Sequence, residues 1–246
     1  RMAMQPGDRG PAAGERVLAW DLPTRLFHWT LVVLIATAWA SFEFSEQIGD
    51  PVLRIHRWNG IAILVLVVWR VSWGVFGSRT ARFSEFVRGP RAALGYLAGL
   101  VRGSSRRYLG HNPAGAYMVL ALLAIVGTEA SLGLFTVEHN DLTAGPLYRL
   151  LSEDTVKQVS RVHRMMFDTV LLPFVVVHVA VNILYGVLKR DPLIPAMITG
   201  RKPAADYVDA TREGRGAQSL LRAAFLLAVS AALVLGTIKG LGGRLP

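Results

Sequence analysis

The stretch HRMMFDTVLLPFVVVHV, residues 163–179, decides the fold of this chain. Its last 11 residues begin a run of 20 residues without a formal charge, residues 169–188. A helix needs roughly 20 apolar residues to cross a bilayer core. His163 and His178 are 15 residues apart, which on a helix is roughly 22 Å along the axis and about 60° around it. The stretch therefore predicts one membrane-spanning helix that presents two imidazoles on about the same face, one near each membrane surface.

Four more apolar runs flank this stretch. They cover residues 26–42, 58–77, 112–137 and 223–238. Composition agrees, because 52% of the 246 residues are hydrophobic and only 18% are charged, against about 25% charged in an average chain. Buried core helices of a soluble protein are the alternative, but five such runs in a chain of this length favour membrane spans.

The predicted fold is an all-α membrane protein, in which a four-helix transmembrane bundle core is followed by a fifth C-terminal transmembrane helix. We divide the chain into an N-terminal segment, the four-helix core, a linker and an accessory helix with a short tail, at residues 1–25, 26–188, 189–219 and 220–246. The hydrophilic stretch 200–218 separates the fifth span from the first four, so that this span is expected to be an appendage.

The basic residues orient the spans. Seventeen of them lie in 1–25, 78–111 and 189–219, and eight lie in 45–57, 138–165 and the tail after residue 238. The positive-inside rule then predicts a cytoplasmic N-terminus and an external C-terminus. The net charge of +10 is explained in this way without nucleic acid. Cleavage after Ala38-Trp39-Ala40 as a signal peptide is the competing interpretation, but 25 residues precede the apolar run, which favours a retained span.

Local signals predict three further features. Residues 90–101 of the basic loop predict a short amphipathic helix that lies on the anionic inner leaflet. Asn112 is expected to cap the third span, with Pro113 at its first helical position. Pro173 is expected to bend the fourth span, with Thr169 available to bond the freed backbone.

The histidines carry most of the functional information. The chain has six of them and no cysteine, which excludes thiolate zinc sites, iron–sulfur clusters and covalent CxxCH haem attachment. The topology matches His28 in depth to His178 on the cytoplasmic side, and His56 to His163 on the external side. A bis-imidazole pair from two helices holds a b-type haem without cysteine. The sequence therefore predicts two haem b groups with these four histidines as the metal ligands, and no catalytic side chain.

Two alternatives compete with haem at these histidines. A structural role is one, but ionisable groups inside a membrane are costly and usually functional, and four of them lie at two matched depths. Zinc is the other, but the chain has no HxxxH or HExxH spacing, and pairs about 20 Å apart cannot form a four-ligand site. We expect neither His111, for which a local hydrogen bond is predicted, nor His139, in an external polar loop, to be an axial ligand.

Arginines near the histidines suit a haem, whose propionates need cations or hydrogen-bond donors. Four are predicted to bind the cofactor: Arg25, Arg57, Arg70 and Arg164. Arg54 and Arg161 also flank the external pair. A bare arginine within a span is expensive, so Arg70 is of particular interest, and snorkelling to the headgroups is the alternative for it.

Glu129 and Asp168 are the acidic residues within the spans. We expect ion pairs with Arg161 or Arg164 in preference to a relay of quinol protons. Small residues are expected to let a macrocycle or a neighbouring helix approach closely; these are Gly60, Gly127, Gly133 and Gly186.

Six stretches together resemble the bacterial cytochrome b561 family, which is related to the cytochrome b subunits of nickel–iron hydrogenases and formate dehydrogenases. They are WDLPTRLFHW (20–29), RIHRWNG (54–60), VVWRVSWGVFGSRTARFSEFVRGP (67–90), YLGHNPAGAYMVL (108–120), HRMMFDTVLLPFVVVHV (163–179) and AMITGR (196–201). The resemblance implies a four-helix core with two b haems, whose axial ligands fall on the first, second and fourth helices. These positions match His28, His56, His163 and His178, and the fifth span departs from the family core.

The resemblance also implies a function and partners. Such a protein transfers electrons across the bacterial inner membrane between the quinone pool and a redox partner, and WDLPTRLFHW favours a periplasmic c-type cytochrome. The alternatives are an anchor and electron-transfer subunit of a hydrogenase or dehydrogenase, or a superoxide-reactive cytochrome. A transporter would leave the histidine pairs unexplained. Lipid and a second copy of the chain are further partners, and the sequence leaves open whether the protein counts as an enzyme.

Overall fold

A computed structural model describes residues 15–137, 144–204, 207–209 and 220–246 of the chain. Its helices, in chain order, are α1 (Leu22–Glu43), α2 (Ser45–Ile48), α3 (Asp50–Phe76), α4 (Phe83–Phe86), α5 (Pro90–Val101), α6 (Pro113–Gly133), α7 (Glu153–Met166), α8 (Leu172–Leu188), α9 (Leu193–Thr199) and α10 (Leu220–Gly240). Two short strands, β1 (Arg16–Leu18) and β2 (Arg201–Pro203), pair antiparallel. Five helices are long and apolar enough to cross a membrane, namely α1, α3, α6, α10 and the continuous helix formed by α7 and α8.

Side-chain caps fix where the spans begin. The Asp21 carboxylate accepts a hydrogen bond from the Thr24 amide at 2.8 Å, and the Asn112 side chain accepts one from the Gly115 amide at 2.8 Å. Each cap satisfies a backbone N–H that has no partner within its own helix. The predicted cap at Asn112 and the predicted helix over 90–101 are both confirmed.

The fourth span is distorted next to its proline. A π-helical turn, Phe167–Leu171, joins α7 to α8, and the Leu172 amide donates to the Phe167 carbonyl five residues earlier. Proline lacks an N–H and clashes with the carbonyl four residues before it, so the wider turn next to Pro173 relieves that conflict. The Thr169 hydroxyl donates to the Met165 carbonyl at 2.6 Å and adds a bond at this turn.

The second span, α3, is the centre of the bundle. It packs against α1, α6 and α10. Its residues Trp69 and Trp73 lie in the hydrophobic core of the bundle, with their rings stacked and the ring centroids 5.5 Å apart. The Trp69 indole N–H donates to the Ala223 carbonyl at 2.9 Å. The fifth span was expected to be an appendage, and α10 in fact lies along α3.

Part of the stretch predicted as a hydrophilic linker is a strand. β2 pairs with β1 so that Val17 faces Lys202 in the register. Lys202 is fully buried, with its ammonium 2.8 Å from the Asp191 carboxylate and donating to the Tyr108 carbonyl at 3.2 Å. This ribbon ties the N-terminal segment to the chain that follows α8.

Candidate functional site

The structure brings His56 and His163 together at one end of the bundle, which we call the His56 end. Their ring centroids are 6.3 Å apart, and the ring planes are at 84° to each other. His56 lies in the second turn of α3 and His163 near the end of α7. The pair predicted from matched depth is therefore a pair in space.

Hydrogen bonds at Nδ1 orient both rings at the His56 end. The Nδ1 atom of His56 lies 2.8 Å from the Ala38 carbonyl. The Nδ1 atom of His163 lies 3.2 Å from the Glu129 carbonyl and 3.1 Å from the Glu129 carboxylate. An imidazole protonated at Nδ1 has its lone pair on Nε2. A histidine that binds a metal ion through Nε2 needs this tautomer. None of these three acceptors was identified from the sequence.

The opposite end of the bundle, the His28 end, holds the second pair. The ring centroids of His28 and His178 are 6.4 Å apart, at an interplanar angle of 47°. The edge of the Trp29 ring contacts His28, with 5.1 Å between the ring centroids. The buried Nδ1 atom of His28 has no hydrogen-bond partner among the described residues, so this end differs from the other in how its rings are held.

Both separations fit two imidazoles on opposite sides of one metal ion. Metal–imidazole bonds of about 2.0–2.1 Å put such ring centroids about 6.4 Å apart. Among the described residues no three His, Cys, Asp or Glu side chains cluster as a metal site. Such a pair would suit a haem, in which the porphyrin supplies the remaining ligands of the iron.

Arg70 is buried near the His28 end. Its side chain is only 2% exposed, and its guanidinium carbon lies 5.0 Å from the centroid of the Phe83 ring. Its Nη1 atom has no hydrogen-bond partner among the described residues. The side chain does not snorkel, and it offers a donor inside the protein that an anionic group would satisfy.

The other arginines are placed differently. Arg25 donates through Nη2 to the Ile198 carbonyl, and its Nε has no partner among the described residues. Gly200 permits this contact, because its φ is +82° and an added Cβ would lie 2.7 Å from the Arg25 guanidinium. Arg57 donates to the Ala144 carbonyl at 3.0 Å and also has an unpartnered Nε in the described structure. Arg164 is exposed, as are Arg54 and Arg161.

One predicted close approach involves an imidazole. A Cβ on Gly133 would lie 3.3 Å from the Cε1 atom of His163, so this glycine lets the ring lie against α6. A Cβ on Gly60, one turn after His56 in α3, would meet no protein atom within 4 Å. The sequence identified both glycines by their position, but the contact between Gly133 and His163 cannot be deduced from spacing.

His111 lies between aromatic rings. Its ring centroid is 4.5 Å from that of Trp20 and 4.4 Å from that of Phe86. Its Nδ1 atom has no hydrogen-bond partner in the described structure, in contrast to the local bond expected from the sequence. Burial, reinforced by the positive charges of Arg70 and Lys202, lowers the pKa of His111 to about 3. His139 lies outside the described residues.

A family comparison matches this arrangement. The model of the prokaryotic cytochrome b561 family matches residues 19–200, well over half of the chain. The chain belongs to that family. No curated protein and no solved structure matches it. The chain is therefore a multi-pass bacterial membrane protein of a cytochrome b561 family, whose members bind haem b and transfer electrons across the membrane.

The family match covers both histidine pairs and all four predicted arginines but excludes α10. The features of this cytochrome b561 fit a bound haem on independent grounds. The histidine separations would suit two imidazoles on one iron, and a buried donor of Arg70 has no partner among the described residues.

Proposed function

We propose that this cytochrome b561 carries electrons through the inner membrane between the quinone pool and a periplasmic redox partner, by way of two b haems. The observation that carries the proposal is the presence of one histidine pair near each end of the bundle, with ring separations of 6.3 and 6.4 Å. A single haem site would not account for the second pair. Residues 163 and 178 on one continuous helix set the spacing, roughly 22 Å along the axis.

The four histidines are the proposed axial ligands. His28 and His178 hold one haem, and His56 and His163 hold the other. A haem held by two imidazoles would supply one-electron chemistry and would offer no open site for oxygen. The protein contributes the ligands, their orientation and an environment of low polarity. The Nδ1 contacts of His56 and His163 support this role, because an N–H at Nδ1 puts the lone pair of the ring on Nε2, where a metal ion binds.

Arginines are the proposed partners of the propionates. Arg70 supports this best, because it is buried and retains an unpartnered donor in the described structure. Arg25 and Arg57 each retain a buried Nε without a partner there, and Arg164 follows His163 directly. A carboxylate with such a donor forms a charge-assisted hydrogen bond, the strong kind in proteins.

The proposed orientation follows the basic loops, with the His28 end cytoplasmic and the His56 end periplasmic. In this orientation, the exposed apolar side chains of Leu94, Leu97 and Val101 on α5 would enter the inner leaflet. The proposed partner at the periplasmic end is a c-type cytochrome.

Haem analysis and a redox assay test this function. The purified protein should contain two non-covalent b haems per chain, and a quinol analogue should reduce them. A periplasmic c-type cytochrome should then re-oxidise them. Fewer than two haems per chain would contradict the ligand scheme, and absence of reduction by quinol would contradict the quinone link.

A further inference from the structure

Glu129 forms a direct link between α6 and the histidine pair of the His56 end. The residue is 8% exposed, and its carboxylate Oε1 and carbonyl O lie 3.1 and 3.2 Å from the same atom, His163 Nδ1. The other carboxylate oxygen, Oε2, has no hydrogen-bond partner among the described residues. One imidazole N–H therefore faces two acceptors from one residue.

The described histidine contact at the opposite end of the bundle differs. His28 has no Nδ1 partner in the described structure, whereas Nδ1 of His163 faces a carboxylate. A carboxylate that accepts the second N–H of a metal-bound histidine fixes the ring and raises the basicity of the ligand. A more basic axial ligand favours ferric over ferrous iron, and hydrogen bonding to the ligands is one way in which proteins set haem potentials.

We propose that Glu129 is a positioning residue that acts through His163 to lower the reduction potential of the haem at the His56 end. The proposal rests on the proposed function, because it requires His163 to be an axial ligand. Its consequence is a bias in where an electron resides. A lower potential at the His56 end shifts the distribution of a single electron toward the haem at the His28 end.

The test is a potentiometric titration of the purified two-haem protein, followed through the optical bands of the reduced haems. The variant is Glu129→Gln, which keeps the size of the side chain and an acceptor oxygen but removes the carboxylate. Glu153→Gln is the matched control, because Glu153 is an acid on the same helix as His163 whose exposed side chain pairs with Lys157 instead. A low-temperature spin-resonance spectrum of the ferric haems provides a second readout, since it responds to the axial imidazole.

We expect E129Q to raise one midpoint potential by at least about 59 mV, a tenfold change in the ratio of oxidised to reduced haem at fixed potential. Only one ferric signal should move, and E153Q should change neither property. Selective loss of the haem at the His56 end in E129Q would show a structural role alone and would overturn the proposed effect on the potential. Unchanged potentials and signals, or loss of both haems, would overturn the proposal.

The outcomes separate this inference from the function on which it rests. Two haems whose potentials E129Q leaves unchanged would contradict the role of Glu129 and leave the electron-transfer function intact. A wild-type protein without two haems, or a His163→Ala variant that retains both, would contradict the function itself.

Discussion

The His56 end and the His28 end hold similar histidine pairs in different ways. At the His56 end, both Nδ1 atoms have acceptors, and the rings are nearly perpendicular at 84°. At the His28 end the angle is 47°, the Nδ1 of His28 has no partner in the described structure, and the cation of Arg70 is buried nearby. The difference teaches that Nδ1 hydrogen bonds orient both rings of the His56 pair. The His28 pair instead lies near Arg70, whose Nη1 has no hydrogen-bond partner in the described structure.

Removal of one ligand from either end should have the largest effect. We expect His178→Ala to lose the haem of the His28 end and His163→Ala to lose the haem of the His56 end, so that each variant keeps about half of the haem. The remaining spectrum should differ between the two variants, because the ends differ. Haem content and optical spectra measure this, with His111→Ala as the control that keeps both haems. A His178→Ala variant with two haems would contradict the ligand assignment.

Substitution of Arg70 should weaken haem binding at the His28 end alone. A charge-assisted hydrogen bond contributes about 1.5–3 kcal/mol, so Arg70→Leu should speed haem loss from that end roughly tenfold to a hundredfold. Transfer of haem to an excess of apomyoglobin measures the two rates. Arg161→Leu, at an exposed arginine of the opposite end, is the control. Equal rates in wild type and Arg70→Leu would exclude a role of Arg70 in haem binding.

An added methyl group on α6 should perturb the His56 end slightly. In Gly133→Ala the new Cβ would lie 3.3 Å from His163 Cε1, so the ring must move by a few tenths of an ångström. We expect a small shift in the ferric spin-resonance signal of one haem and none in the other. Gly236→Ala on α10, where a Cβ meets nothing within 4 Å, should leave both unchanged. A shift in both signals would show that the two ends are not independent.

The smallest effect concerns pH at the His28 end. The pKa of His111 is about 3 in the folded protein against an ordinary 6.5, so between these values only the unfolded chain takes up the proton. Stability therefore falls as the pH falls below 6.5, by at most about 1.4 kcal/mol per unit. Thermal unfolding at pH 7, 6 and 5 should show a shallower loss for His111→Gln than for wild type. Identical slopes would contradict this assignment.

The spans were predictable because a bilayer imposes their length. The apolar runs that contain Trp69, Glu129 and Phe225 are longer than apolar stretches in loops. Each of these residues lies in a helix of the structure. The strand pair of Arg16–Leu18 and Arg201–Pro203 was not predictable, since three-residue strands distant in sequence carry no local pattern. The position of α10 along α3 depends on packing that composition does not encode.

The histidine pairs were predictable for a similar reason. Helical rise and span direction fix the depth of each residue, so matched depth identified which rings would meet. Depth says nothing of rotation about the helix axis. The contact between Glu129 and His163 depends on how α6 faces the helix that contains the π-helical turn. The sequence analysis instead predicted an ion pair between Glu129 and Arg161 or Arg164.

The pairing itself is tested most directly by the haem content of double variants. If the pairs are His28 with His178 and His56 with His163, the variant His28→Ala with His178→Ala should retain one haem per chain, because both substitutions affect the same site. The variant His28→Ala with His163→Ala should retain none, because each substitution removes a different site. One retained haem in the second variant, or none in the first despite a folded chain, would contradict the account.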